Sequence, residues 1–528
     1  MENNRGSWAS NIGFLMAAIG SAVGLGNIWG FPYKMGKSGG FTFLIVYVAL
    51  AIFVGFIIMA SELALGRKTG LGAIGAYNTL KGSRFRWIGW LAVIAPFLIM
   101  SFYSVLGGYT MQYLSLNLAE LSFGIQSAFG IALSGGNTFG AMLTNPFGCI
   151  IFTLLFMIIC FCINRGGVSG GIEKFNAIGM PALFVMLIIV IIRALTMEGA
   201  VEGLKFMFVP GYAVKGGFIE SAPDFVTILG TAGGQMFFSL SLAMGAMITY
   251  GSYLGKGENL KKSSVVIVIS DTVVAILAGL AVIPAAVAYG IQNGIPVNEI
   301  SLNGPKLLFV TLQNVFSAMG AIGPLFGIVF YALVLIAAIS SAISLIEVIS
   351  AFFLDNARNH GKEANRPKTV LWVCIVIMII GALVAACGLG ENGIAPANIF
   401  GWIGTDTYAM WNDCWLDFMD CWSEGVAMPV GAMLMALMIG WEQKPEYALE
   451  ELSIGSANGK GFVTFYKICI MIVVPIAMAF ILAGQLIDFF SPVSGAYSVK
   501  AVCYIISLVI LVVFFILAIT NRKASKKA

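Results

Sequence analysis

The sequence predicts an all-α membrane protein with twelve transmembrane helices. Of its 528 residues, 59% are hydrophobic and only 10% are Asp, Glu, Lys or Arg, whereas a soluble domain carries about 45–50% apolar and about 25% charged residues. So few charges cannot cover a water-soluble surface of this size, and the mean hydropathy of +0.94 agrees. This composition excludes a soluble enzyme, a disordered chain and a disulfide-stapled secreted domain.

Twelve apolar runs divide the sequence, and their lengths suit helices that cross a membrane, which need about 20 mostly apolar residues. The runs are too long, and alternate too little, for the strands of a membrane barrel. Because a helix satisfies its backbone polar groups within the segment, helices are the remaining solution in lipid. The runs lie near residues 11–35, 40–66, 88–117, 148–164, 172–196, 226–253, 264–290, 322–356, 368–388, 413–440, 463–488 and 497–520.

Lysine and arginine are distributed unevenly between alternate loops. With the N-terminus in the cytoplasm, most of the 29 Lys and Arg residues fall on the cytoplasmic side, including the clusters at 81–86, 256–262, 358–368 and 522–527. Since cytoplasmic loops of membrane proteins carry the excess of positive charge, the distribution predicts that both termini lie inside. It also requires an even number of helices.

The reactive residue types argue against an enzyme. His360 is the only histidine, so neither a His-based metal site nor a Ser-His-Asp triad can be assembled within the chain. The nine cysteines lie mostly in apolar runs and form no Cys-x-x-Cys pair; a free cysteine there behaves as a small hydrophobic residue. The net charge of +4 is small and gives no indication of a nucleic-acid partner.

The first and sixth helices are interrupted by glycine and small polar residues, at 20–27 and 233–241. Interrupted segments at matching places in two halves are typical of a transporter built from an inverted five-helix repeat. The spacing Gly20-x-x-x-Gly24 also fits close helix packing, so the pattern alone leaves both interpretations open. With the repeat, the divisions are 1–196 for helices 1–5, 197–440 for helices 6–10, and 441–528 for two peripheral helices and a tail.

Specific motifs carry a resemblance to a known family. The segment Gly20-Ser-Ala-Val-Gly-Leu-Gly-Asn-Ile-Trp-Gly-Phe-Pro-Tyr33, the segment Gln235-Met-Phe-Phe-Ser-Leu-Ser-Leu242 and the pair Ser340-Ser341 resemble the neurotransmitter:sodium symporter family. The resemblance covers most of residues 5–440. It implies twelve helices, with helices 1–5 and 6–10 as inverted repeats and helices 11 and 12 peripheral. It also implies a bacterial inner-membrane protein that couples sodium entry to amino-acid uptake.

The resemblance implies two sodium sites, built from carbonyls that the helix breaks release and from side-chain oxygens, which suit a hard cation. The implied ligands of the inner site are Gly20, Val23, Ala337, Ser340 and Ser341. Those of the outer site are Ala22, Asn27 and Ser239, with Ser270 at the family's ligand position on helix 7 and Asp271 directly after it. Without the resemblance, Ser340 and Ser341 on helix 8 would be interpreted as hydroxyls that donate hydrogen bonds to the backbone of their own helix.

Asp271 is an acid inside a membrane segment, which is costly in lipid and therefore indicates a functional role. It could ligate sodium or supply negative charge nearby. Animal members of the family bind chloride close to the positions of Tyr47, Gln235 and Ser239, all of which this chain retains. Because a carboxylate at Asp271 would repel an anion, we expect no chloride requirement.

The same helix breaks imply a substrate pocket. By resemblance, amides around Gly24, Leu25 and Gly26 and the hydroxyl of Tyr103 hold a carboxylate, while carbonyls near Ser21, Ala22, Phe238 and Ser239 hold an ammonium group. The implied contacts for the substrate side chain are Ile99, Phe238, Ser241, Met244, Ser341 and Leu345.

The pocket so defined is apolar and uncharged, which favours a hydrophobic or aromatic amino acid. Relatives that carry amines place an aspartate at the position of Gly24, so the glycine favours an amino acid over an amine. An amine or other small organic solute, and a non-transporting amino-acid sensor, remain the alternatives.

Gating residues are also implied by the resemblance. Phe238 and Tyr103 would close over the substrate, and Arg5 would pair with Asp355 on the inside, beside Trp8 and Tyr253. Gly171 and Pro181 resemble the family element on helix 5 that opens to the inner sodium. Gly30 replaces a basic residue that relatives pair with an acid corresponding to Asp420, so an outer pair would have to be rebuilt from Lys34 or Lys37. The stretch 406–424 has no assignment beyond an outer loop that leads into helix 10.

Together these features predict a sodium-driven importer that binds two sodium ions, makes and breaks no covalent bond and works by alternating access. Its expected partners are an amino acid, sodium ions and the lipid bilayer. The sequence does not specify the amino acid or the oligomeric state.

Overall fold

The computed structural model is helical throughout the part of the chain that it describes, which comprises residues 6–80, 83–124, 135–300, 302, 304–400, 413–494 and 497–525. In those ranges, ten helices are long and apolar enough to cross a membrane, and one further pair, bent by 43°, forms another span. Two shorter helices, Phe225–Ser239 and Ala246–Gly251, are separated by a break and correspond to the remaining predicted span. Our prediction of twelve spans is consistent with this arrangement.

The spans are labelled α1 to α12 in chain order, with α1 and α6 divided into halves. Their bounds are Asn11–Ala22 (α1a), Gly26–Lys37 (α1b), Phe41–Thr69 (α2), Ile88–Phe123 (α3), Pro146–Asn164 (α4), Val168–Leu195 (α5), Phe225–Ser239 (α6a), Ala246–Gly251 (α6b), Leu260–Gln292 (α7), Gly323–Asn359 (α8), Arg366–Cys387 (α9), Trp415–Glu442 (α10), Lys460–Ile487 (α11) and Tyr497–Ser525 (α12).

The helices differ in how deeply they are buried. Over its most apolar window, α10 is 89% buried within the protein, whereas α12 is only 17% buried. The long helices α3 and α8 pack against each other and contribute Tyr103 and Ser341 to the centre of the bundle. The broken helices therefore lie in the interior, and α12 lies at the periphery, where its apolar side chains face lipid.

The break in α1 follows from its sequence. Val23 is extended, with φ −77° and ψ 97°. The amide of Gly24 would normally donate to the carbonyl of Gly20 four residues earlier, but it donates instead to Asn27 Oδ1 at 3.0 Å. The Asn27 side chain thus replaces a backbone acceptor and leaves the Gly20 carbonyl without its usual helical partner.

The break in α6 contains left-handed residues at Ser241 (φ 52°), Ala243 (φ 59°) and Gly245 (φ 72°). A non-glycine residue in this conformation costs about 1–2 kcal/mol, so surrounding contacts must hold it. The buried Glu62 on α2 accepts the Ala243 amide at 2.7 Å, and Ser241 Oγ donates to the Ser21 carbonyl at 2.8 Å. These bonds join the two breaks to each other and to α2.

Candidate functional site

A small cavity of about 20 Å³ lies between the two breaks. It is lined by Ser21, Ala22, Gly24, Gly26, Ile99, Tyr103, Phe238, Ser241, Met244, Ser341 and Leu345. All of these residues are among those that the sequence predicts for a substrate pocket. The two other predicted residues, Leu25 and Ser239, lie directly beside it in the chain.

One end of the cavity is formed by the break in α1 and by Tyr103. The Leu25 amide donates to the Tyr103 hydroxyl at 3.1 Å, which leaves the hydroxyl proton available to an acceptor in the cavity. A side chain at Gly24 would enter this space, because its Cβ would lie 2.2 Å from Ser341 Oγ and 2.9 Å from the Tyr103 oxygen. This end is therefore suited to hold an oxygen-bearing group of a ligand.

Beside it, the Ser21 carbonyl accepts two hydroxyls, from Ser241 at 2.8 Å and from Ser341 at 3.1 Å. Ser341 Oγ thus bonds to α1a and faces the cavity. Ser341 is predicted as both a sodium ligand and a substrate contact, and the observed hydrogen bond is with the substrate side.

The other end of the cavity is apolar. Ile99, Met244 and Leu345 are each at most 3% exposed, and the rings of Tyr103 and Phe238 lie 6.4 Å apart, centroid to centroid. The lining residues carry no charge. This end is therefore suited to an uncharged, apolar side chain.

A second cluster lies outside the cavity, where α1b, α6a, α2 and α7 meet. Asn27 Nδ2 donates to Asp271 Oδ1 at 2.7 Å and to Ser239 Oγ at 2.9 Å. Ser239 Oγ lies 2.9 Å from both Asp271 oxygens, and the Tyr47 hydroxyl donates to Asp271 Oδ2 at 3.2 Å. All four side chains are fully buried. These partners of the carboxylate are neutral, so a cation in this cluster would balance its charge.

The alternative helix 7 ligand, Ser270, is not part of this cluster. It is partly exposed, whereas the next residue is fully buried. A rotation of about 100° per residue separates neighbours on a helix, so only one of the two can point at Asn27. That residue is Asp271.

A third cluster joins α1a to α8. Ser340 Oγ donates to the Ala337 carbonyl at 2.9 Å and lies 3.3 Å from the Val23 carbonyl. Three of the five predicted inner ligands, Val23, Ala337 and Ser340, are grouped here, and a fourth, Gly20, precedes Val23 by three residues in the chain. The hydroxyl of the fifth, Ser341, is directed to Ser21 instead.

Comparison with known proteins places this arrangement in a family. The family model described as "Sodium:neurotransmitter symporter family" matches residues 5–127 and 123–525. The chain belongs to the sodium:neurotransmitter symporter family. This membership identifies it as a multi-pass membrane protein of the sodium-dependent symporter class.

Individual relatives agree with the family match. An uncharacterized sodium-dependent transporter of Bacillus subtilis is 35% identical over 89% of this chain and 95% of its own length. Another, of Haemophilus influenzae, is 31% identical over 92% of this chain and 99% of its own. The crystal structure of MhsT in complex with L-phenylalanine matches with a TM-score of 0.75 and 33% identity, covering 91% of this chain and all of that one. These matches confirm the predicted family and fold class.

On the side of this symporter where α1 begins, aromatic and charged residues pack together. Trp8 Nε1 donates to the Tyr250 carbonyl at 3.1 Å, and its ring packs edge-on against Tyr253. The Tyr253 hydroxyl donates to Glu347 at 2.6 Å, and Glu347 pairs with Arg366 on α9. The predicted gating residues Trp8 and Tyr253 therefore lie together.

The predicted pair of Arg5 and Asp355 lies partly outside the described residues, because Arg5 is not among them. Asp355 accepts the Gly72 amide at 2.9 Å and lies 3.6 Å from Arg358. On α5, Gly171 is in the first turn, where an added Cβ would be 2.0 Å from the Ile163 carbonyl oxygen, and Pro181 is inside the helix.

On the side predicted to face outward, Lys34 of α1b forms a salt bridge with Glu424 of α10. Lys34 was one of the two cations expected to rebuild this pair, but the acid differs from the expected Asp420. Glu424 lies four residues, about one helical turn, beyond it. The side chains of Lys34 and Glu424 are only 14% and 7% exposed, so the pair is largely shielded from solvent. Of the acid-rich stretch 406–424, residues 406–412 lie outside the described part of the chain.

Two contacts of the symporter's site were missed by sequence reasoning. Glu62 and Glu347 stand out as acids in membrane segments, which is a usable signal, but only the fold reveals the Ala243 amide and Arg366 as their partners. Glu424 lies in a stretch with several acids, and nothing in the sequence distinguishes it from Asp420.

Proposed function

We propose that the chain imports a hydrophobic or aromatic amino acid together with sodium ions, by alternating access. The observation that carries the proposal is the apolar cavity between the two helix breaks. Its volume is only about 20 Å³ in this conformation, so the pocket must widen to hold a substrate, and it is the uncharged, largely apolar lining that favours a small hydrophobic solute. The similarity to MhsT, whose structure contains L-phenylalanine, supports an amino acid of this type.

In this proposal, the substrate carboxylate lies at the break in α1. The Tyr103 hydroxyl, which accepts the Leu25 amide, donates its proton to the carboxylate, and the amides at Gly24 to Gly26 add the positive end of α1b. The ammonium group lies by the carbonyls of Ser21, Ala22 and Phe238, and the side chain contacts Ile99, Met244 and Leu345. Each group of an amino acid thus has a chemical counterpart.

Sodium would occupy the two oxygen clusters. The outer ion would use the Ala22 carbonyl, Asn27, Ser239 and Asp271, whose negative charge favours a cation. The inner ion would use the carbonyls of Gly20, Val23 and Ala337 with Ser340. Neutral oxygens freed by a helix break suit this hard, singly charged cargo. We propose two ions for each cycle and no requirement for chloride.

Alternating access would use the contacts on both sides of the cavity. The Lys34–Glu424 pair and the Tyr103–Phe238 rings would separate to admit substrate from outside. The Trp8 and Tyr253 contacts would break to release it inside, as the segment from Gly171 to Pro181 opens. We further propose repeats at 1–196 and 197–440, with 441–528 peripheral, both termini cytoplasmic, a bacterial inner-membrane location, and no enzymatic activity.

An amine substrate is the alternative within the same fold. The cavity lining offers no carboxylate to pair with an amine that lacks its own acid group, since its polar residues are neutral. An amino acid brings that acid group with it. The lining therefore favours an amino acid.

Uptake into proteoliposomes tests the proposal. We expect accumulation of one or more labelled hydrophobic or aromatic amino acids when an inward sodium gradient is applied, and almost none when potassium replaces sodium. The Ser340→Ala variant, which loses a hydroxyl of the proposed inner sodium site, should need much more sodium. Equal uptake with potassium would reject sodium coupling, and sodium-driven uptake of an amine but of no amino acid would establish the alternative.

A second prediction concerns the outer pair. Glu424→Gln keeps the shape of the side chain but removes the negative charge that pairs with Lys34. Because breaking a buried ion pair costs about 3–5 kcal/mol, the conformation in which the cavity is closed to the outside should be destabilised. We expect labelled substrate to dissociate to the outside at least about tenfold faster. Glu202→Gln, in the exposed pair with Lys205, serves as the control and should leave the rate unchanged, because exposed pairs contribute little. An unaltered dissociation rate in Glu424→Gln would show that the Lys34–Glu424 pair does not control opening to the outside.

A further inference from the structure

The side chain of Asn176 on α5 has an unusual environment. It is fully buried, and its Nδ2 donates to the Ile172 carbonyl of its own helix at 2.9 Å. This bond fixes the amide orientation, because the oxygen could not face a carbonyl. Oδ1 therefore points away from α5, and it has no hydrogen-bond partner within the described part of the chain. A buried amide oxygen without a partner calls for a specific explanation, such as an ion or an ordered water.

The oxygen points at α1a, at the residue next to the inner cluster. A Cβ added to Gly20 would lie only 1.9 Å from Asn176 Oδ1, so the oxygen contacts the Gly20 backbone directly. Gly20 is the residue whose carbonyl loses its helical donor, since the Gly24 amide bonds to Asn27. An unpartnered amide oxygen thus lies against the residue whose carbonyl loses its helical donor.

The chemistry of these neighbours indicates a cation rather than another donor. Three residues beyond Gly20 in the chain, the Val23 carbonyl lies 3.3 Å from Ser340 Oγ, which also donates to the Ala337 carbonyl. An amide oxygen is the kind of neutral, hard ligand that such an ion prefers. The same contact explains why position 20 is a glycine, because any side chain there would displace Asn176.

We propose that Asn176 Oδ1 is an additional ligand of the inner sodium ion, on α5. The inference rests on the sodium coupling proposed above and adds a ligand from a third helix. Asn176 lies between Gly171 and Pro181, in the segment proposed to open toward the cytoplasm. Opening of that segment would withdraw the ligand, so sodium affinity would fall as the inner path opens. Bound sodium would, in turn, hold α5 closed.

Asn176→Leu removes the whole side-chain amide, including the proposed ligand Oδ1, and keeps a similar side-chain volume. We expect the sodium concentration for half-maximal substrate binding to rise about tenfold, the lower end of the effect of ligand-shell changes on metal affinity. Asn176→Asp, which retains the oxygen, should bind sodium at least as well as wild type. Ser340→Ala should raise the sodium requirement, and the double variant should show less than the product of the two effects, because both act on one ion.

Thermal stability separates a ligand from a structural residue. In sodium-free potassium buffer, Asn176→Leu should melt no lower than wild type, because it loses an unpartnered polar group. The stabilisation by sodium should shrink. The matched control is Asn164→Leu on α4: Asn164 is also buried, bonds the carbonyl four residues earlier, and has an unpartnered Oδ1, but it is not beside Gly20. It should leave the sodium requirement unchanged.

The outcomes distinguish the two proposals. A wild-type protein whose substrate binding ignores sodium would overturn the proposed function. A sodium-dependent wild type with an unchanged sodium requirement in Asn176→Leu would overturn the ligand assignment alone. Equal losses of stability with and without sodium would identify Asn176 as a packing residue and would also overturn it.

Discussion

Replacing Gly24 with aspartate is expected to abolish amino-acid binding while leaving the fold intact. The new carboxylate would extend from a Cβ that lies 2.2 Å from Ser341 Oγ and 2.9 Å from the Tyr103 oxygen, which is where the substrate carboxylate is proposed to lie. Opposing like charges cost several kcal/mol, and each 1.4 kcal/mol is a factor of ten in Kd. We therefore expect affinity to fall at least about 100-fold.

Two variants separate charge from bulk at this position. Gly24→Asn has nearly the same shape as the aspartate but no charge, so it should weaken binding less. The decarboxylated amine of the best amino-acid substrate should bind Gly24→Asp better than it binds the wild type, because the new acid would pair with its ammonium group. Equilibrium binding of labelled substrate, with size-exclusion chromatography to verify folding, provides the measurement. An unchanged amino-acid Kd in Gly24→Asp would show that the carboxylate binds elsewhere.

The helices and the central cavity are predictable from the sequence for different reasons. Apolar runs identify the spans because lipid requires every backbone group to be satisfied inside a helix. The cavity residues are predictable only because the motif around Gly20 to Tyr33 resembles a family. Hydropathy alone could not have chosen Ile99 or Leu345, since either would fit an ordinary helix interface.

What the sequence leaves open at the site depends on details that a one-dimensional pattern does not contain. Ser270 and Asp271 are adjacent, and only the rotation of α7 determines which one points at Asn27. Asp420 and Glu424 are both acids one turn apart, and the position of α1b determines which one Lys34 reaches. The hydroxyls of Ser340 and Ser341 diverge because they leave α8 in different directions, one toward Val23 and the other toward Ser21. Side-chain direction around a helix axis thus sets the limit of sequence reasoning here.

Neutralising Asp271 is expected to make sodium-driven transport dependent on chloride. In the wild type, the carboxylate accepts hydrogen bonds from Asn27, Ser239 and Tyr47. Without it, these donors would converge on a space with no negative charge, which is a suitable environment for an anion. Asp271→Ser leaves room for a small anion, so we expect its sodium-driven uptake to be low in gluconate and to recover in chloride.

The wild type should transport equally well in chloride and in gluconate, because its own carboxylate supplies the charge. Asp271→Asn keeps the volume but adds donors that compete with those of Asn27, so chloride should restore less activity to it than to Asp271→Ser. Glu62→Gln is the matched control: Glu62 is also a buried acid of the core, but it accepts the Ala243 amide and lies outside this cluster. It should not acquire a chloride requirement. Chloride dependence of the wild type, or full activity of Asp271→Ser in gluconate, would contradict the assignment, because either result means that the charge at Asp271 is not what balances the outer sodium.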